Sequence, residues 1–118
     1  MNFWKTKAKD DILVTIEGDK FLFTNIFFEP THITLNKPYG VIEFTITPSA
    51  NGTFCIVGKY RANCYSRIVN LESYELKDIE NNIRKAILGI IIEIETEQLC
   101  VIIKNDMFKR IEKDLNNI

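Results

Sequence analysis

Histidine occurs once in the 118-residue chain, at position 32, and cysteine only at 55, 64 and 100. The common metal sites draw several His and Cys ligands at close spacing, so no metal centre is expected. An odd number of cysteines without a framework reads as reduced thiols. The five glycines stand singly at 18, 40, 52, 58 and 89, so neither a P-loop nor a dinucleotide fingerprint can be assembled from them. No cofactor is expected.

Long apolar runs are also missing. The longest, Ile-Leu-Gly-Ile-Ile-Ile at 87–92, is far too short to span a membrane. The N-terminus lacks the apolar stretch of a signal peptide, and Phe3-Trp4 beside Lys5, Lys7 and Lys9 reads as a docked strand rather than a membrane anchor. A cytoplasmic protein is expected. The formal net charge is −1, which disfavours a general polyanion binder. Isoleucine accounts for 19 of the 118 residues, with asparagine and lysine also frequent, the usage of an AT-rich genome such as that of a low-GC bacterium or its phage.

What is present is a globular pattern, 46% hydrophobic and 26% charged, in a chain of single-domain length (1–118). Ile12, Val14 and Ile16 alternate with Leu13, Thr15 and Glu17, and Gly18-Asp19 then suggests a hairpin turn into Lys20–Phe28. A two-residue type II′ loop there would set Ile16 opposite Phe21 and Val14 opposite Phe23. If 20–28 were one strand, Phe21, Phe23 and Phe27 would share one face and Leu22, Ile26 and Phe28 the other. Both faces of that strand require cover.

Further strands are expected near His32–Leu35, Val41–Thr47, Thr53–Tyr60 and Tyr65–Val69. From Ser73 the spacing turns helical: Leu76, Ile79, Ile83, Ala86 and Ile87 recur at threes and fours, with Ser73 as N-cap and Gly89 as stop. Two readings compete beyond Gly89. A single helix could run from 75 to 103, but the β-branched residues favour a hairpin of Ile90–Glu95 and Leu99–Lys104. Asp106 could cap a last helix with Met107, Phe108, Ile111 and Leu115 as its stripe. The expected fold is α+β: a curved antiparallel meander of about five to seven strands, with one helix near 73–88 on a face and a short C-terminal helix near 106–116.

Catalytic constellations are thin. His32 could meet a cysteine only through the fold, and nothing near Cys55, Cys64 or Cys100 marks a nucleophile. Glu93, Glu95 and Glu97 would form an acidic ridge on one side of the proposed strand. The local charge anomaly is Lys59-Tyr60-Arg61-Ala62-Asn63-Cys64-Tyr65-Ser66-Arg67, in an interval free of acidic residues. Lys59, Arg61 and Arg67 could meet phosphates while Tyr60 and Tyr65 stack on bases. The favoured expectation is a non-enzymatic binding protein of the immunity, inhibitor or phage anti-defence kind. It would dock on another protein, and on itself as a homodimer, through the second face at Leu13, Leu22, Ile26 and Phe28. A module for a phosphate-bearing ligand or nucleic acid, centred on residues 59–67, is the alternative.

Overall fold

The structure, a computed structural model, describes residues 11–50, 52–73 and 75–116, with side chains up to Lys113. It is α+β with antiparallel pairing throughout. Strands β1 (Ile12–Ile16) and β2 (Asp19–Phe23) form a two-stranded sheet. Strands β3 (Thr31–Lys37), β4 (Gly40–Ser49), β5 (Thr53–Tyr60) and β6 (Asn63–Asn70) form a four-stranded meander, and a single helix α1 (Leu76–Asn116) follows. The strands therefore divide into two sheets rather than joining in one.

The β1–β2 turn explains part of that division. Glu17 and Gly18 both adopt positive φ, 51° and 89°, the geometry of a type I′ turn. The loop is thus one residue earlier than Gly18-Asp19, and the register pairs Ile12 with Phe23, Leu13 with Leu22 and Val14 with Phe21. The shift is by two residues along the partner strand, so every side chain keeps its expected face. Beyond Phe23 the strand does not continue. The Asn25 carbonyl accepts from the amides of Phe28 and Glu29 (2.9 and 3.0 Å), closing a turn that Asn25 enters at φ 50°. The strict alternation expected over 20–28 stops there, and Ile26 swings into the core.

One face of the meander carries Ile33, Leu35, Ile42, Phe44, Ile46, Phe54 and Ile56, all buried. The opposite face alternates polar residues such as His32, Thr34 and Glu43, which are exposed. Across the apolar face lies α1, presenting Ile79, Ile83, Ile87, Ile90, Ile91 and Ile94, and the β1 side chains Ile12, Val14 and Ile16 join the same core. Three polar ties hold the parts in place. Arg84 Nε donates to the Thr15 carbonyl (2.9 Å), Lys37 pairs with Glu17, and the Leu71 amide donates to the Gly52 carbonyl (2.8 Å).

The helix is where expectation and structure differ most. Neither Gly89 nor the β-branched run ends it, and the segment 90–104 is helical, not a hairpin. Intrinsic penalties of about 1 kcal/mol for Gly89 and a few tenths for each β-branched residue are outweighed by burial of isoleucine side chains, at ~1.5–3 kcal/mol each. The buried positions 83, 87, 90, 91 and 94 follow a 3–4 spacing that only a helix aligns on one face. The separate short helix near 106–116 is the far end of this one. At the start, Glu75 rather than Ser73 is the N-cap: its carbonyl accepts from Asp78 and Ile79, while the Ser73 hydroxyl accepts from the Glu75 amide (3.2 Å).

Close approach of helix to sheet depends on Gly58. A Cβ there would lie 2.7 Å from Ile90 Cγ2 and 2.9 Å from Phe44 Cε1. Gly58→Ala is expected to destabilise by ~1–3 kcal/mol through overpacking, read as a lower melting temperature by circular dichroism. Gly58→Ala should cost less in an Ile90→Ala background than in the parent, the coupling that a shared contact produces. Equal melting of Gly58→Ala and the parent would show that the helix does not sit this close.

Candidate functional site

Three surfaces compete for function. The first is the end of the β5–β6 hairpin, where the basic and aromatic segment lies. Tyr60 and Tyr65 are 5% and 8% exposed, so their rings belong to the core rather than to a stacking platform. The Tyr60 hydroxyl donates to the Tyr39 carbonyl (3.0 Å) and accepts from Gln98 Nε2 (2.5 Å), and the Tyr39 and Tyr60 rings meet edge to face at 5.6 Å. Tyr65 donates to Glu97, and Arg67 pairs with Glu93 at 2.5 Å. Arg61 stands at the hairpin tip with φ 56° and its guanidinium 5.3 Å from the Tyr60 ring centroid, while Lys59 is exposed.

The segment is therefore largely turned toward α1. Glu93 and Glu97 stand one turn apart on the helix and reach Arg67 and Tyr65 of β6. Glu95 projects elsewhere, toward Tyr39, so the three glutamates do not form the ridge that a strand would have made. Burial together with the Glu95 carboxylate pushes the Tyr39 hydroxyl up to about 12. The hydrogen bond to Glu97, and then burial, pushes Tyr65 up to about 12. What the arrangement does is clamp the sheet to the middle of the helix.

The second surface is the outer side of β1–β2. Leu13 and Leu22, directly paired, are 47% and 61% exposed, and Phe28 is 76% exposed. Ile26, expected among them, is completely buried because the turn at Asn25 reversed its direction. The patch is thus three side chains rather than four. His32 Nδ1 lies 3.2 Å from Thr45 Oγ1, and β4 separates its strand from the strand of Cys55; Cys64 and Cys100 are exposed free thiols. Among the described residues no group of three or more His, Cys, Asp or Glu could hold a metal ion. Among them, too, no helix is long and apolar enough to cross a membrane.

The third surface was only half visible in the sequence. Gln98 makes the last polar contact between α1 and the sheet through Tyr60. Beyond it the helix continues for 18 residues, about 27 Å, with no strand of the described residues beneath it. Leu99, Val101, Ile102, Ile103, Met107, Phe108 and Ile111 are each at least 50% exposed there. The molecule measures 83 × 25 × 22 Å, and its radius of gyration of 19.5 Å compares with about 13.5 Å for a compact domain of this length. Met107, Phe108 and Ile111 stood out as a helical stripe in the sequence. Leu99 and Ile103 did not, because 99–104 resembled a strand; the signal was their four-residue spacing continuing to Met107 and Ile111.

Family models, curated proteins and solved structures all lack a match to this chain.

The tyrosine clamp makes a pH dependence predictable. Tyr65 ionises near 10 when unfolded and near 12 when folded, so at pH between these values the unfolded chain releases a proton that the folded one retains. The stabilising contribution is complete below about pH 10 and is lost as pH rises toward 12; Tyr39 adds in the same direction. In Glu97→Gln the tyrosinate absorbance titration of Tyr65, isolated by difference from Tyr65→Phe, should move down toward 10. An unmoved titration would mean that Glu97 does not hold that hydroxyl.

Proposed function

We propose that the protein is a non-enzymatic binding protein that acts through protein–protein contact and self-associates, with the free half of α1 as its working surface. The observation that carries this reading is the row of large, exposed apolar side chains from Leu99 to Ile111, on a stretch of helix with no strand of the described residues beneath it. Exposed apolar surface of that extent marks an interaction site more often than it occurs by accident. Helical segments of this length are marginal in water when isolated, and Val101, Ile102, Ile103 and Ile111 are poor helix formers. Burial against another protein supplies what the local sequence lacks. The Leu13, Leu22 and Phe28 patch is a smaller, separate surface of the same character.

Light scattering over a wide concentration range tests the reading. The parent chain should exceed monomer mass as concentration rises. Ile103→Glu with Met107→Glu should weaken association by at least ~100-fold, since each change removes a buried apolar group and places a charge in the contact. The sheet body should still melt cooperatively, because both side chains are at least half exposed and lie beyond Gln98. A parent that stays monomeric, or a double variant that associates as well as the parent, would sink the proposal.

A further inference from the structure

Resting on that reading, we infer that the occupant of the free helix surface is a second copy of the chain, laid antiparallel along α1 with the two-fold axis at the level of Val101 and Ile102. Three observations converge on this arrangement.

Charge comes first. Along α1, residues 93–97 contain three glutamates and no base, residues 98–103 are uncharged, and residues 104–113 contain four bases against two acids. Parallel, in-register pairing would set acidic against acidic and basic against basic. Antiparallel pairing about Val101–Ile102 lays residues 104–113 of one copy, with four bases against two acids, along residues 90–99 of the other, with three glutamates and no base, around an uncharged centre. Like charges held together cost and opposite ones contribute, so the pattern selects direction.

Spacing comes second. Ile92, Thr96, Leu99 and Ile103 follow one another at 4-3-4, the seam of a shallow helix pair that stays in contact over many turns. Ile92 is 65% exposed although it lies within the sheet-covered half, where its neighbours Ile90, Ile91 and Ile94 are buried. The seam therefore faces away from the chain's own sheet. A partner helix on it leaves both sheets on the outside, free of collision.

Area sets a lower limit on the overlap. Pairing about Val101–Ile102 overlaps the two helices from residue 87 to 116, about 45 Å. With a face roughly 10 Å wide, the footprint is about 900 Å² over both copies, close to the ~1,000 Å² that a specific interface needs. Overlap of the free halves alone, about 27 Å, gives only roughly 540 Å². Only the longer overlap comes near that size.

Cross-linking tests the arrangement in the full-length chain with Cys55, Cys64 and Cys100 changed to serine. In this background Ile92→Cys and Ile111→Cys are made separately, with a circular dichroism melt as control for folding. The mixture of the two should give a cross-linked dimer with a short bis-maleimide. Neither variant alone should, because like positions lie about 28 Å apart along the antiparallel pair. Cross-linking of each variant to itself, absence of product from an associated mixture, or a trimer by light scattering overturns the arrangement but leaves self-association intact. A chain monomeric at every concentration overturns both this inference and the reading it rests on.

Discussion

The structure depends on the contact between the isoleucine face of α1 and the apolar face of the meander. Six isoleucines between 79 and 94 enter it, and Gly58 lets Ile90 approach β5 closely enough for Phe44 to pack beside it. Roughly 1.5–3 kcal/mol per buried side chain exceeds the small penalties that Gly89 and the β-branched residues impose on a helix. Once those penalties are overridden, the helix continues past the sheet.

The tyrosine and glutamate contacts occupy the boundary between these halves. Glu93 with Arg67, Glu97 with Tyr65 and Gln98 with Tyr60 are the last ties before α1 leaves the sheet. They also draw into the fold Arg67 and the two tyrosine rings, part of what resembled a ligand-binding segment in the sequence. Buried tyrosines bonded to glutamates serve stability and orientation.

The two-stranded sheet has a different part. Its inner face completes the core through Ile12, Val14, Ile16 and Phe23, and Arg84 anchors β1 to the helix. That anchorage covers one face of the two-faced segment. The other remains in solvent at Leu13 and Leu22, with Phe28 beyond the turn. It is a second apolar surface, separated in sequence and in structure from the helix seam.

Much was legible before the structure: six strands in near-correct places, the inward side of β1 and β2, and the start of the helix. Alternation reports which side of a strand is buried, and that information is local. Three things were not local. The β1–β2 register turned on whether Glu17 or Asp19 joined Gly18 in the loop. Ile26 depended on the turn at Asn25. Above all, residues 90–104 satisfy the local rules of a strand and the packing rules of a helix. Only the sheet beneath Ile90, Ile91 and Ile94 decides between them, because burial free energy exists only once there is something to be buried against.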